Sequence, residues 1–216
     1  MEKEFKFKGL RQKLVKELRK KGISDEEVLA AIEKVKRHLF VDELIQESAY
    51  EDRALPILLN QTISQPYTVA FQTQILEVKK GLRVLEIGLG SGYQAAVLCE
   101  MEAIVFSVER LKELALLTKE RLKKLGYDVQ IKIGDGTLGW QTFAPFDRIL
   151  VTAASPQVPD TLLKQLNIGG ILVIPVGNKE IQKMYKIIKI DENHYETKVY
   201  DDFKFVPLIG DKGWKE

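Results

Sequence analysis

The sequence has few of the residues that build disulfides and transition-metal sites. Its 216 residues include a single cysteine, Cys99, and two histidines, His38 and His194. One cysteine excludes a disulfide within the chain, and three such residues are too few for a zinc site made of histidine and cysteine ligands. We therefore predict no metal site. The N-terminal sequence MEKEFKFKG lacks the apolar core of a signal peptide, and we expect a cytoplasmic location.

Charge is missing from one long stretch. Residues 54–76, ALPILLNQTISQPYTVAFQTQIL, contain no Asp, Glu, Lys or Arg, although these four types make up 30% of the chain. The stretch is too polar to span a membrane, because a spanning helix needs about 20 predominantly apolar residues. We predict no membrane association. The stretch is expected either to be buried or to line a site that excludes fixed charge.

A strong charge imbalance is also lacking. The net charge is +2, without the concentrated basic surface of a dedicated nucleic-acid binder, so we predict no nucleic-acid partner. With 45% hydrophobic residues the chain can build one sizeable core, since single domains extend to about 250 residues.

The first fifty residues are predicted to be helical. Apolar residues recur with helical spacing at Leu10, Leu14, Val15 and Leu18, and Gly22 is expected to end that helix. Ser24 and Glu27 stand in the capping-box relation and predict the start of a second helix. The segment VDELIQESA predicts a third, short one.

From residue 83 onward, short apolar runs alternate with helical patterns. The runs RVLEIG, AIVFSVE, VQIKIG, DRILVTAA and GGILVIPVG predict buried parallel strands with helices on both faces. KMYKIIKID and HYETKVYDDFKFVPL predict a hairpin at the sheet edge. We predict an α/β fold with a doubly wound, mostly parallel sheet. Residues 1–80 would form a helical annex with a site segment, and residues 81–216 a Rossmann-like core, within one compact domain.

A glycine-rich turn follows the first of these strands, in EIGLGSGYQ. Gly88, Gly90 and Gly92 form GxGxG, whereas the dinucleotide fingerprint is GxGxxG. Glu86 precedes them, and a carboxylate there would repel a pyrophosphate but attract an ammonium group. The pattern favours S-adenosylmethionine, with its cationic sulfur and zwitterionic amino acid end, over a nicotinamide dinucleotide.

Two further acidic residues follow the next strands. Glu109 comes about 20 residues after the glycines, where a carboxylate conventionally accepts both ribose hydroxyls. Asp135, between Gly134 and Gly136, is placed to accept from an adenine amino group. Each has a structural alternative, because a carboxylate before a helix is often a cap and GDG is often a turn.

Several motifs resemble those of the protein L-isoaspartate O-methyltransferases. They are QTISQPYTVA, VLEIGLGSGYQ, SVER, GDG, APFDRILVTAA, GGILVIPVG and FKFVPLIG, and RHLFV and AYEDRALPI are similar to the family's N-terminal segment. The resemblance covers about residues 35–210. It implies transfer of a methyl group from S-adenosyl-L-methionine to the free α-carboxylate of L-isoaspartyl and D-aspartyl residues. The implied product is S-adenosyl-L-homocysteine and the implied partners are damaged proteins and peptides. We expect a monomer.

The resemblance also implies roles for particular residues. Substrate would be bound by Thr62, Ile63, Ser64, Val206 and Leu208, with Ser64 as the catalytic residue. Further cofactor contacts would be Gln94, Arg110, Gly136, Thr152 and Ala153. Alternatives remain: Ser64 could cap a helix over residues 68–79, Val206 and Leu208 could belong to a plain edge strand, and Gln94 could be an ordinary helix residue.

The implied chemistry agrees with the composition. An α-carboxylate has a pKa of about 3.3 to 3.7, so it is already ionised at neutral pH and needs no general base. Both histidines fall outside the strand-end residues. Neutral donors such as the Thr62 and Ser64 hydroxyls would hold the anion without quenching its nucleophilicity, whereas a fixed carboxylate would repel it.

One segment departs from the family pattern. The family has PIGxGQTIS, whereas this chain has PILLNQTIS, with Leu58 and Asn60 in place of glycines. Leucine disfavours the left-handed backbone that glycine permits. We hypothesise that the loop before Thr62 takes another conformation that alters substrate entry. The competing functions are a methyltransferase acting on RNA or a small molecule, and a catalytically weakened cofactor-binding module.

Overall fold

The N-terminal part of the computed structural model is helical, as predicted. The model describes residues 2–215, with side chains from residue 4 onward. Helix α1 spans Glu2–Lys20 and α2 spans Glu26–Lys34; single-turn and double-turn 3-10 helices follow at Arg37–Phe40 and Glu43–Tyr50. The predicted Ser24 cap is wrong by one residue. The Asp25 side chain caps α2 by accepting from the Glu27 and Val28 amides at 2.9 and 3.2 Å.

The uncharged stretch forms a small hairpin followed by a helix. Strands β1 (Leu55–Pro56) and β2 (Thr62–Ile63) pair antiparallel, and helix α3 runs over Pro66–Leu76. This helix is shorter than the predicted 68–79 span at its C-terminal end, because Glu77 adopts left-handed backbone with φ 54°. Proline occupies its first position, where the missing N–H is not needed.

A seven-stranded sheet forms the centre of the fold. Its strands are β3 (Arg83–Ile87), β4 (Ile104–Glu109), β5 (Val129–Ile133), β6 (Phe146–Val151), β7 (Leu166–Gly177), β8 (Gln182–Lys189) and β9 (Tyr195–Phe203). The order is β5-β4-β3-β6-β7-β8-β9. Neighbouring strands from β5 to β7 are parallel, whereas β8 pairs antiparallel with both β7 and β9. The predicted doubly wound sheet is confirmed. Strand order reverses between β3 and β6, which is where such sheets bind ligands.

Helices connect the parallel strands and cover the sheet. They are α4 (Tyr93–Glu100), α5 (Lys112–Lys124) and α6 (Asp160–Lys164). One apolar cluster runs from the annex into the sheet, joining Leu14 and Leu29 to Val84 and Ala96. The annex therefore packs directly on the layer that carries α3 and α4.

The C-terminal segment differs from the predicted hairpin strand. Strand β9 ends at Phe203, and the chain then crosses the carboxyl ends of the parallel strands. The Phe205 amide donates to Gln182 Oε1 at 2.9 Å, and residues 206–208 pair with Ala154 instead of β8. This crossing closes one side of a cavity. No helix within residues 2–215 is long and apolar enough to cross a membrane.

Candidate active site

A cavity of about 990 Å³ lies above the carboxyl ends of β3, β4 and β6. Its volume is at the upper end of the range for small-molecule sites. The wall is built from parts of residues 61–69, 87–94, 108–110, 152–153 and 201–209. The glycine turn, the uncharged stretch and the C-terminal crossing therefore meet at one place, which their distances in sequence do not reveal.

The three glycines of the turn have different surroundings. All have positive φ: 97° at Gly88, 51° at Gly90 and 85° at Gly92. Gly90 lines the cavity, and a Cβ added there meets nothing within 4 Å. Gly92 is not part of the wall; a Cβ there would lie 2.8 Å from Thr118 Cγ2 on α5. Gly90 therefore leaves room for a ligand, whereas Gly92 allows helix packing.

The Glu109 carboxylate lines the cavity and is held in place by two backbone hydrogen bonds. Its Oε2 accepts from the Gly90 amide and its Oε1 from the Leu111 amide, both at 3.0 Å. The side chain is buried yet lines the wall, next to the exposed Arg110. Fixed in this way, the carboxylate can accept hydrogen bonds from a vicinal diol such as a ribose.

Glu86 does not lie where the sequence predicts. The side chain is fully buried beneath the glycine turn, is not part of the cavity wall, and accepts from Ser107 Oγ at 2.6 Å. Burial raises the pKa of Glu86 to about 8, so the group is largely neutral near pH 7. The predicted direct contact with a ligand ammonium therefore has no support from the cavity wall and stays a prediction. Side chains alternate between the two faces along β3, so Glu86 shares the face of Val84, which packs in the apolar cluster that includes the annex.

The Asp135 carboxylate is also fully engaged in hydrogen bonds with other residues of the chain. Its Oδ1 accepts from the Thr137 amide at 2.8 Å and the Thr137 hydroxyl at 2.7 Å, and its Oδ2 accepts from the Asp211 amide at 2.7 Å. Gly136 lines the cavity, but Asp135 does not. The turn alternative describes this residue, because a short side chain after a strand bonds the nearest free amides. The predicted adenine contact by its carboxylate is not present in the wall.

Four other predicted cofactor contacts lie in the wall: Gln94, Arg110, Thr152 and Ala153. The Thr152 hydroxyl donates to the carbonyls that end β3, those of Ile87 and Gly88, at 3.0 and 2.8 Å. Gln94 Nε2 donates to Thr73 Oγ1 at 3.0 Å, which links α4 to α3. Sequence reasoning missed Thr73, since it lies on the buried face of a helix.

The uncharged stretch forms one wall of the cavity. Thr62, Ile63 and Ser64 all line it; Thr62 is exposed, Ile63 buried and Ser64 half-buried. Ser64 does not cap α3, because the N-cap residue is Gln65 and the Tyr67 amide donates to Asp52. Among the described residues, no partner engages the Ser64 hydroxyl. The capping alternative is therefore wrong, and the hydroxyl is available to a ligand.

Val206 and Leu208 line the opposite side. The Val206 carbonyl accepts from the Ala154 amide and the Leu208 amide donates to the Ala154 carbonyl, both at 2.7 Å. The Leu208 carbonyl also accepts from the Trp214 amide at 2.8 Å. The segment is therefore held by its own chain, and the backbone groups of Leu208 are already paired.

Charge is distributed unevenly around the wall. Glu109 and Arg110 lie at the glycine-turn end, and the outer rim carries Glu180, Asp201, Asp202 and Lys204. The segment containing Thr62 and Ser64 adds none. Aromatic side chains of Tyr67, Phe203 and Phe205 also line the cavity; the sequence signal for them was their position beside QTIS and FVPL.

The sheet order, the glycine turn and the braced acid after β4 define a Rossmann-like methyltransferase. Comparison with known proteins narrows this class. The family model described as protein-L-isoaspartate(D-aspartate) O-methyltransferase matches residues 9–213. The chain belongs to this family.

Individual relatives agree over nearly the full length. The protein-L-isoaspartate O-methyltransferase of Cytophaga hutchinsonii is 53% identical over 99% of this chain and 97% of its own. A solved protein-L-isoaspartate O-methyltransferase has a TM-score of 0.85 at 31% identity, covering 94% of this chain and 67% of that one. A Plasmodium falciparum structure described as the same enzyme, in complex with S-adenosyl-L-homocysteine, has a TM-score of 0.79 at 26% identity. It covers 92% of this chain and 98% of that chain.

Proposed function

We propose that this chain transfers a methyl group from S-adenosyl-L-methionine to the free α-carboxylate of L-isoaspartyl residues, and of D-aspartyl residues, in damaged proteins. Family membership supports this activity directly. The observation that carries the site assignment is the wall formed by Thr62, Ile63 and Ser64, which brings uncommitted hydroxyl groups and no fixed charge to the cavity.

The cavity fits the methyl donor at its glycine-turn end. The open space beside Gly90 admits a ligand close to the backbone, and the Glu109 carboxylate is oriented by two amides. We assign Gly88, Gly90, Glu109, Arg110, Gly136, Gln94, Thr152 and Ala153 to this end. When bound, S-adenosyl-L-methionine supplies an electrophilic methyl group on a cationic sulfur. Glu86 and Gly92 would support the turn from behind.

The substrate carboxylate would meet the neutral wall. Ser64 donates one hydrogen bond that orients the attacking oxygen, and Thr62 offers a second hydroxyl nearer the cavity mouth. A neutral donor stabilises the anion without the full charge of a lysine, which would lower its nucleophilicity. The buried apolar side chains of Ile63 and Leu208 would help to exclude water from the anion. No proton needs to be removed, because the carboxylate is ionised at neutral pH.

The outer rim fits a peptide chain better than a polyanion. Glu180, Asp201 and Asp202 would repel the phosphates of a nucleic acid at the entrance. We therefore propose damaged proteins and peptides as partners. A monomeric state and a cytoplasmic location remain the expectations from the sequence. Size-exclusion chromatography with light scattering tests the monomer, and methyl transfer to RNA would contradict the choice of partner.

The test of the site compares Ser64→Ala with Ser48→Ala, a serine that is also half-buried but lies outside the cavity wall. Methyl transfer to an L-isoaspartyl peptide should fall about tenfold or more in Ser64→Ala, since a hydrogen bond to a charged group contributes about 1.5–3 kcal/mol. Binding of S-adenosyl-L-homocysteine should stay nearly unchanged in both variants. Unchanged turnover in Ser64→Ala would remove Ser64 from the mechanism.

A further inference from the structure

Helix α3 receives its N-terminal cap from a distant residue. Asp52 Oδ1 accepts from the Tyr67 amide at 2.7 Å, although Asp52 lies 15 residues earlier in the chain. The residue at the cap position, Gln65, makes no capping hydrogen bond with its side chain. A cap normally comes from the residue that begins the helix, because that side chain reaches the second or third amide. Here the capping carboxylate comes from Asp52, which lies outside the segment that faces the cavity.

Asp52 is held on several sides. Its Oδ2 accepts from Lys21 Nζ at 2.5 Å, and its backbone carbonyl accepts from Gln65 Nε2 at 3.1 Å. The Asp52 side chain is only 3% exposed, whereas Lys21 is 43% exposed. A buried carboxylate requires such partners, and the positive end of the α3 dipole adds to them. Lys21 follows helix α1, so the annex fixes the position of Asp52.

The arrangement has a consequence for Ser64. If the Asp52 carboxylate is removed, the Tyr67 amide loses its acceptor. The nearest hydroxyl that precedes this amide in the sequence is that of Ser64, and serine oxygens are good acceptors for such amides. The hydroxyl would then be drawn toward the helix and away from the cavity.

We propose that Asp52 is a positioning residue for methyl transfer: it caps α3 in place of Ser64 and thereby leaves the Ser64 hydroxyl free for the substrate carboxylate. This inference rests on the proposed role of Ser64. It gives the helical annex a part in the reaction, since Lys21 and the chain before Asp52 hold the cap in place.

The first test measures kcat/KM for an L-isoaspartyl peptide in Asp52→Ala and Asp52→Asn. Asp52→Ala should lower kcat/KM about tenfold. The Ser64 hydroxyl would then have to give up its hydrogen bond to the helix, worth about as much as a helix cap, before it could bind the substrate. Asp52→Asn keeps an oxygen that can accept from the Tyr67 amide, so its loss should stay within about threefold. Binding of S-adenosyl-L-homocysteine should be unchanged in both variants, because Asp52 does not line the cavity.

A matched control is Asp25→Ala, which removes the same kind of cap from α2. It should lower the melting temperature without changing kcat/KM. Should Asp52→Ala not fold, Asp52→Ser serves instead, because its side chain is too short to reach the Tyr67 amide. An equal loss of kcat/KM in Asp52→Asn and Asp52→Ala, or in the Asp25 control, would overturn the proposal.

The decisive test combines Asp52→Ala with Ser64→Ala. If Asp52 acts through Ser64, adding Asp52→Ala to the Ser64→Ala enzyme should cost less than about twofold in kcat/KM. Losses that multiply would show that Asp52 only stabilises the fold. If Ser64→Ala alone leaves transfer unchanged, the proposed role of Ser64 fails, a result distinct from multiplying losses.

Discussion

The loop between β1 and β2 contains two neighbouring leucines, Leu58 and Leu59, that differ in backbone conformation. Comparing a glycine substitution at each position measures the cost in stability of a left-handed leucine. Leu59 has φ 57° and ψ 38°, and Asn60 has φ 56°, whereas Leu58 does not adopt left-handed backbone. The left-handed backbone that leucine disfavours therefore occurs at Leu59 and not at Leu58. A left-handed conformation costs a non-glycine residue about 1–2 kcal/mol.

The two leucines are similarly exposed, 53% for Leu58 and 42% for Leu59. Substitution by glycine removes comparable buried area at each position and adds the same freedom to the unfolded chain, so these effects nearly cancel in the comparison. Leu59→Gly should be more stable than Leu58→Gly by about 1–2 kcal/mol. The melting temperatures should differ by about 2–8 °C.

Urea and thermal denaturation of both variants measure this difference. Equal stabilities, or a more stable Leu58→Gly, would refute the assignment of strain to Leu59. The hypothesis that this loop alters substrate entry stays a prediction. Activity and a loop path unchanged in the Leu58→Gly, Asn60→Gly double variant would contradict it.

Further predictions concern the glycine turn and the buried acid below it. Gly90→Ala should weaken binding of S-adenosyl-L-homocysteine about tenfold or more, since its methyl group enters the cavity. It should also cost about 1–2 kcal/mol of stability, because the backbone at this position is left-handed with φ 51°. Gly92→Ala carries the same kind of backbone strain at φ 85° and should cost a further ~1–3 kcal/mol of stability through overpacking against Thr118; a greater loss of stability in Gly90→Ala than in Gly92→Ala would contradict the assignment. Glu86 has a folded pKa of about 8 against 4.5 for the free group, so the folded state holds its proton between these values while the unfolded state loses it. Stability should therefore fall as pH rises from about 4.5 to 8, and Glu86→Gln should gain on the wild type across that window in denaturation measured at several pH values. A difference in the free energy of unfolding between Glu86→Gln and the wild type that does not change with pH would show that Glu86 is not buried as a neutral acid.

The alternation of apolar runs and helical patterns predicts the sheet well, because buried parallel strands must be apolar on both faces. The positions of the glycine turn and Glu109 were also predictable, because the carboxyl ends of parallel strands lie at one edge of the sheet. Glu86 and Asp135 were not, because the direction of a side chain depends on which amides and layers surround it.

The C-terminal crossing shows a second limit. FKFVPL has the alternating pattern of a strand, yet Phe205 bonds Gln182 Oε1 and the following residues pair with Ala154. Contacts between residues that are 23 or more positions apart leave no local pattern. The same holds for Asp52, whose cap on α3 depends on the fold of the intervening hairpin.

Membership of the protein-L-isoaspartate(D-aspartate) O-methyltransferase family indicates that the attacking group is the α-carboxylate of an isoaspartyl residue. The most direct test supplies labelled S-adenosyl-L-methionine with two peptides that differ only in Asp versus L-isoaspartate at one position. Label should enter the isoaspartyl peptide alone, as a base-labile methyl ester. Equal labelling of both peptides, or binding of the methyl donor with no transfer to either, would contradict the account.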